Sequence, residues 1–71
     1  MITITVNDQV HEVVEHSMLT YPQLVALAGM TDTPTVTVEW PNGSRIPSLA
    51  ANRQLFAIEG LVVHVYHSAN A

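Results

Sequence analysis

The segment SMLTYPQLVALAG holds the clearest local signal in the chain, and it predicts a single short helix. Thr20 is a natural N-cap, Gln23 completes a capping box three residues later, and Pro22 lies in the first turn, where its missing N–H costs nothing. Apolar residues then follow at helical spacing, and Gly29 ends the helix in the left-handed conformation. A helix of this length, Tyr21 to Ala28, is unstable alone in water, so it must pack against a sheet.

The start of the chain predicts a β-hairpin. The stretch ITITV alternates apolar side chains with threonines, which places the apolar groups on one face of a strand. Asn7-Asp8 tolerates the positive φ of a tight turn, and strand-forming residues resume after it. We expect strands over residues 1–6 and 10–15, in a register that sets Val13 beside Ile2 and His11 beside Ile4.

Two later segments also alternate. TVTVEW, from Thr35 to Trp40, predicts a strand that ends with Trp40 at the rim of the core, and Pro41-Asn42-Gly43 then breaks it. Leu61 to His67 predicts the final strand, with Leu61, Val63 and Val65 on one face. Between them, residues 44–58 have a weak pattern, for which we expect a short edge strand at Arg45-Ile46-Pro47 and a loop with a helical turn over residues 48–55. Phe56 and Ile58 are the expected core anchors of this segment.

Length and composition limit the architecture. The 71 residues allow one domain, over residues 1–67, followed by a short tail over residues 68–71. There is no cysteine for a disulfide, so the 48% hydrophobic content must supply the core. The strand after the helix can join the hairpin only through a crossover. The order therefore predicts an α+β domain with one helix across a mixed sheet of four to five strands, whose first and last strands are parallel and central.

The charge inventory excludes several partner classes. The chain has Arg45, Arg53, no lysine and a formal net charge of −4. Nucleic acid and anionic membranes need clustered basic residues, so we expect neither as a partner, and a basic protein fits better. Without lysine, the ordinary amine of the chain is the α-amino group of Met1. The opening MITITV has neither a basic region nor a long apolar run, so a cytoplasmic location is expected.

The sequence contains no catalytic or metal-binding constellation. No serine has a histidine and an acid at a recognisable spacing, so we expect no enzymatic activity, and we expect no cofactor or small-molecule ligand. Of the four histidines, His64 and His67 would point to opposite faces of a strand, and no cysteine completes a zinc shell. We expect no metal. His11 is expected to be partly buried and hydrogen-bonded at the edge of the core.

The predicted order of elements is the β-grasp arrangement, and the chain is similar to ubiquitin in size and layout. It more closely resembles the bacterial ubiquitin-like proteins called multi-ubiquitin domains. ITVNDQVHEV resembles the first hairpin of that family, LTYPQLVALAG resembles its helix, and TVTVEWPNG and EGLVVHVYHSANA follow in the family's order. The chain differs in having one domain, where the family often has several, and in lacking the Gly-Gly that ends ubiquitin.

The resemblance implies a protein modifier. Its C-terminal carboxylate would be adenylated with Mg-ATP by an activating enzyme, passed to a conjugating enzyme and joined to an amine of a target protein in an isopeptide bond. A deconjugating peptidase is a further implied partner. The conjugation tail would be Ser68, Ala69, Asn70 and Ala71. Small side chains suit a narrow enzyme channel, and three outcomes stay open: Ala71 is the acyl donor, a peptidase removes it to leave Asn70, or the carboxylate is never activated.

Val62, His64 and Tyr66 are the expected partner-binding face. They would lie on the side of the sheet away from the helix, the face by which ubiquitin-like domains are typically bound. The alternative is that residues 44–58 cover part of it. Two rival functions remain beside the modifier. One is a β-grasp interaction module that is never conjugated, and the other is a sulfur carrier, although that family also ends in Gly-Gly.

Overall fold

The computed structural model describes residues 1–67, which form one helix and seven strands. In chain order these are β1 (Ile2–Val6), β2 (Gln9–Val13), β3 (Met18–Thr20), α1 (Tyr21–Leu27), β4 (Thr35–Glu39), β5 (Arg45–Ile46), β6 (Gln54–Phe56) and β7 (Leu61–Tyr66). Five strands form a mixed sheet in the order β2-β1-β7-β4-β5, and β3 pairs with β6 in a separate two-stranded sheet. The α+β class with a mixed sheet and one helix is confirmed.

The first hairpin forms in the predicted register. Ile2 pairs with Val13 and Ile4 pairs with His11 in an antiparallel ladder. Asn7 and Asp8 occupy the two turn positions with φ of 49° and 67°, the backbone of a tight two-residue hairpin. The apolar positions of β1 are buried and its threonines are half-buried, so the period of two decides which face meets the core.

The helix begins as predicted, because its capping box is present in full. The Thr20 hydroxyl accepts from the Gln23 N–H, and the Gln23 side-chain carbonyl accepts from the Thr20 N–H at 3.0 Å. The helix ends one residue earlier than expected, at Leu27, with Ala28 as the C-cap and Gly29 at φ +70°. Leu24 and Val25 are its buried residues. With seven residues it depends on tertiary packing, and no helix within residues 1–67 has the length and apolarity to cross a bilayer.

The last strand is the centre of the fold. β7 runs parallel to β1, as predicted, and it runs antiparallel to β4 on its other side. Its alternate residues enter a core that also takes side chains from the helix and from residues 49–57. The buried apolar residues are Ile2, Ile4, Val6, Leu19, Leu24, Val25, Val36, Val38, Leu49, Leu55, Ala57, Leu61, Val63 and Val65, and Trp40 packs at the rim as expected.

The segment 44–58 differs most from prediction. The short edge strand is present as β5, but the predicted loop with a helical turn instead leads into β6, which pairs with β3. Phe56 was expected in the core and is 58% exposed, so that prediction is wrong. In the β3–β6 ladder Leu19 pairs with Leu55, and these two side chains are buried. The next position along, Phe56, therefore faces outward, while Ile58 is half-buried against the core.

Candidate functional site

The face of the sheet away from the helix carries the three predicted partner-binding residues. In β7, Leu61, Val63 and Val65 are buried, and the alternate side chains of Val62, His64 and Tyr66 are on the other face. Val62 and His64 are half-buried, and Tyr66 is 48% exposed. We call these three residues the open-face set. The alternation along β7 is as predicted, and their role in binding a partner stays a prediction.

Neighbouring strands make this face polar rather than apolar. Val62 lies between Thr5 of β1 and Glu39 of β4, and His64 lies beside Thr37. His64 Nε2 is 3.8 Å from Glu39 Oε1, an exposed pair of the kind that contributes little to stability. A partner bound here would therefore meet one aromatic ring, one aliphatic side chain and several hydroxyl, imidazole and carboxylate groups.

Part of this face is covered, as the alternative prediction held. Thr37 is 4% exposed, and its hydroxyl donates to the Pro47 carbonyl at 2.8 Å. The chain then turns inward, where Leu49 N–H donates to the Val36 carbonyl at 2.8 Å and the Leu49 side chain enters the core. Residues 47–49 thus close the face over β4, and the accessible part lies over β7, β1 and β2.

The exit of the last strand is held by Asn7. Its Nδ2 donates to the Val65 carbonyl at 3.0 Å, its Oδ1 accepts from the Val65 N–H at 2.8 Å, and its own N–H donates to the Val63 carbonyl at 3.0 Å. A carboxamide that bonds both groups of one residue continues the strand pairing beyond the end of β1. The sequence predicted Asn7 only as a turn residue. The predicted conjugation tail, Ser68 to Ala71, lies outside the described residues.

The opposite end of the β1–β7 contact is held by a charged group. Glu59 accepts from the Thr3 N–H at 3.2 Å through Oε1, and from the Thr3 hydroxyl through Oε2. The Thr3 hydroxyl is the main cause, with its backbone N–H second, of a pKa of Glu59 below the ordinary value of 4.5. The carboxylate stays ionised at neutral pH and ties the turn before β7 to β1.

The histidines do not form a site. His11 is half-buried as expected, but its Nε2 is buried without a hydrogen-bond partner among residues 1–67, so this atom does not make the expected hydrogen bond. His16 and His67 are exposed. Within the described part of the chain, no three histidine, aspartate or glutamate side chains lie close enough together to hold a metal ion.

A groove on the helix side of the domain was missed by the sequence reasoning. It has a volume of about 550 Å³ and lies between the end of β2, the start of β3 and the outer face of α1. We call it the helix-side groove; its lining includes Met1, Glu12, Val14, Met18, Gln23 and Leu27. Met1, Val14 and Met18 are 78%, 61% and 42% exposed. One signal in the sequence could have indicated this groove. Val13, Val14 and Met18 are close together, and one strand of a hairpin cannot bury all three side chains.

Comparison of the chain with protein-family models, with curated proteins and with solved structures gives no match. The features of the molecule that bear on its function are the topology of the sheet, the end of the last strand and the two accessible surfaces.

Proposed function

We propose that this domain is a ubiquitin-like β-grasp protein that acts as a protein modifier. The observation that carries the proposal is the parallel pairing of the first and last strands at the centre of the sheet, with one helix on the opposite side from the open-face set. The described residues end at His67, directly after this central strand. A tail leaving such a strand can be presented to an enzyme while the domain is held at a distance.

Asn7 supports the same proposal. Strand β1 ends at Val6, but the Asn7 carboxamide holds Val65 for two further hydrogen bonds. The last strand therefore stays fixed until just before His67, and residues 68–71 follow from a defined point. Positioning the reacting group in this way lowers the entropy cost of bringing the carboxylate to an enzyme.

The proposed chemistry belongs to the tail and to its enzymes. A terminal carboxylate oxygen attacks the α-phosphorus of ATP, pyrophosphate leaves with Mg²⁺, and an acyl-adenylate forms. A nucleophile then attacks the carbonyl carbon and AMP leaves, which transfers the acyl group. The domain itself supplies no catalytic group. In Asn70-Ala71 the side chains are small enough for a narrow channel, although Gly-Gly would be smaller.

The test uses the protein with Mg-ATP and an adenylating enzyme encoded near its gene. Intact-mass spectrometry should detect a protein carrying one adenylyl group, or an enzyme-linked acyl ester. The matched control is the same chain with a C-terminal carboxamide, which has no carboxylate to activate and should give no adduct. A form ending at Asn70 distinguishes an untrimmed from a trimmed donor. Absence of an adduct with both carboxylate forms would contradict the proposal.

The open-face set can be tested in the same reaction. Tyr66→Ser should raise the KM for the domain about tenfold if a single aromatic anchor dominates recognition. Phe56→Ser is the matched control, because Phe56 is similarly exposed, at 58% against 48%, but lies on the β3–β6 ladder. Equal effects of the two substitutions would show that the enzyme does not bind through the open face.

The second candidate function is an interaction module that is never conjugated. The helix-side groove favours it, since exposed apolar side chains there need no tail to bind a partner. The carboxamide form separates the two functions, because an interaction module should keep all its partners when its carboxylate is blocked.

A further inference from the structure

The free edge of the five-stranded sheet lies next to the helix-side groove. Strand β2 is the first strand of the order β2-β1-β7-β4-β5, and among residues 1–67 it pairs with β1 alone. Its last residues and Val14 line the groove, across from α1. A strand added to this edge would place every second side chain over the groove.

The hairpin turn decides which backbone groups of β2 are free. Val6 pairs with Gln9 across two turn residues of positive φ, so Gln9, His11 and Val13 exchange hydrogen bonds with β1. The N–H and C=O groups of Val10 and Glu12 therefore point away from β1. They present the donors and acceptors that an incoming strand would use.

The apolar groups of the groove are concentrated rather than scattered. Met1, Val14 and Met18 line it and are exposed, and Phe56 pairs directly with Met18 in the β3–β6 ladder. On the open face, by contrast, the exposed Val10 and Tyr66 belong to different rows of the sheet, opposite Thr5 and Thr35 respectively. Three exposed apolar side chains thus line one groove, and flexible methionine side chains suit a binding surface.

Charge identifies the kind of occupant. The groove is lined by Glu12, Glu15 follows Val14, and Asp8 stands at the other end of the same edge. Both arginines lie elsewhere in the sequence, and Arg45 is on β5, the opposite edge of the sheet. A segment carrying lysine or arginine is therefore the complementary partner for this edge.

Two other occupants fit poorly. Val65 lies beside Asn7, and the groove begins at Met1, so these two points are about 20 Å apart at the rise of a strand from residue 1 to residue 7. Residues 68–71 span at most about 14 Å when fully extended, and they cannot fill the groove of their own molecule. A second copy would bring together two acidic edges on chains that each carry a net charge of −4.

We propose that the β2 edge and the helix-side groove bind an extended segment of a partner protein, in which apolar residues alternate with lysine or arginine. The segment adds a strand to β2 through the backbone groups of Val10 and Glu12. Its apolar side chains enter the groove against Met18 and Leu27, and its basic side chains face Glu12 and Glu15. This interaction is independent of the tail and of its conjugation.

The test uses the peptide acetyl-Thr-Val-Lys-Val-Lys-Val-Thr-amide and the isotope-labelled protein. Titration followed by backbone-amide NMR should shift residues 10–18 and 23–27 and should slow hydrogen exchange at the Val10 and Glu12 amides. The same peptide with glutamate in place of lysine should bind about tenfold more weakly, and a version N-methylated at its central amides should not bind. These controls leave the protein unchanged, so failed folding of a variant cannot explain them.

Protein variants complete the test. Met18→Ser should weaken binding about tenfold, and the matched open-face variant Tyr66→Ser should leave it unchanged. Equal binding of the lysine and glutamate peptides, shifts centred on the open-face set, or no binding of the lysine peptide would each overturn the proposal. Dimerisation of the free protein through residues 10–18 would overturn it as well, because the occupant would then be a second copy.

Discussion

The two ends of the contact between the first and last strands are held by different kinds of polar group. At the exit end, the neutral carboxamide of Asn7 makes two part-buried bonds to Val65, at 2.8 and 3.0 Å. At the entry end, the charged Glu59 accepts from Thr3 in full contact with solvent. Water competes for the exposed bonds, whereas a part-buried group left without a partner loses its solvation. The exit end should therefore be the stronger and the less sensitive to pH.

The difference also has a functional side. The entry end stabilises a turn, at Glu59-Gly60, and the exit end fixes Val65, one residue before the end of β7. If the tail is the reactive part of the molecule, the stronger contact, between Asn7 and Val65, is at the end of β7 that precedes the tail. An accurate position of this end helps an enzyme to reach the terminal carboxylate. The weaker contact, between Glu59 and Thr3, is at the start of β7, where a small displacement of the backbone would leave the tail unaffected.

The largest effect is expected from Asn7→Gly. Glycine keeps the positive φ of the turn but removes both bonds to Val65, so we expect a loss of about 2 to 3 kcal/mol in the free energy of unfolding, measured with urea. The matched control is Asp8→Gly, at the neighbouring position of positive φ, which should change stability by about 0.5 kcal/mol or less. Similar losses at both positions would show that the turn conformation, and not the hydrogen bonds between Asn7 and Val65, determines the stability.

An intermediate effect is expected from Thr37→Val, which tests whether burial decides the strength of these polar contacts. The hydroxyl of Thr37 is buried and neutral, and removing it leaves the Pro47 carbonyl without that partner. We expect a loss of about 1 to 2 kcal/mol in the free energy of unfolding. Thr35→Val, two residues earlier on the same strand and half-buried, should change it by about 0.5 kcal/mol or less. If Thr37→Val leaves the free energy of unfolding unchanged, burial does not decide how strong these polar contacts are. The expected difference between the Asn7 and Glu59 contacts would then lose its physical reason.

Local patterns predicted the parts of the fold in which neighbours in sequence are also neighbours in space. The hairpin register follows from a two-residue turn, and the start of the helix follows from Thr20 and Gln23, three residues apart. The central place of β7 was also predicted, although its partners are distant in sequence, because Leu61 to His67 is the most apolar strand-forming segment of the chain. In each case the deciding interaction was visible in the residues themselves.

Two of the failures involve pairs that are distant in sequence, and the third needs three elements to be assembled. Phe56 was placed in the core because it is large and apolar, but the pairing of β6 with β3, from across the helix, gave the inward position to Leu55. The turn accounted for Asn7 in the sequence, and its hydrogen bonds to Val65 could not be predicted because that partner is 58 positions away. The helix-side groove needs β2, β3 and α1 together. Of the candidate site, the alternation of Val62, His64 and Tyr66 could be predicted, and partial cover by residues 44–58 was one of two alternatives. The contact that provides the cover, between Thr37 and Pro47, could not be predicted.

The smallest effect, and the one that depends on pH, is expected from Glu59→Gln. The hydrogen bonds from Thr3 hold the pKa of Glu59 below its ordinary 4.5, so the folded state favours the carboxylate. The stabilisation is fully present above pH 4.5 and is lost as the pH falls through the lowered pKa. Wild type should thus be the more stable protein at neutral pH, and its advantage over Glu59→Gln in urea unfolding should close in acid.

Thr3→Val assigns the cause of that pH dependence. The Thr3 hydroxyl is the largest contributor to the lowered pKa of Glu59, and the Thr3 N–H remains after the substitution. In the Thr3→Val background, the stability lost through Glu59→Gln at neutral pH should therefore shrink without vanishing. A loss that persists in strong acid would mean that shape, and not charge, gives Glu59 its effect. The Glu59–Thr3 contact would then be independent of pH, like the neutral Asn7–Val65 contact, and the two ends would not differ in their sensitivity to pH.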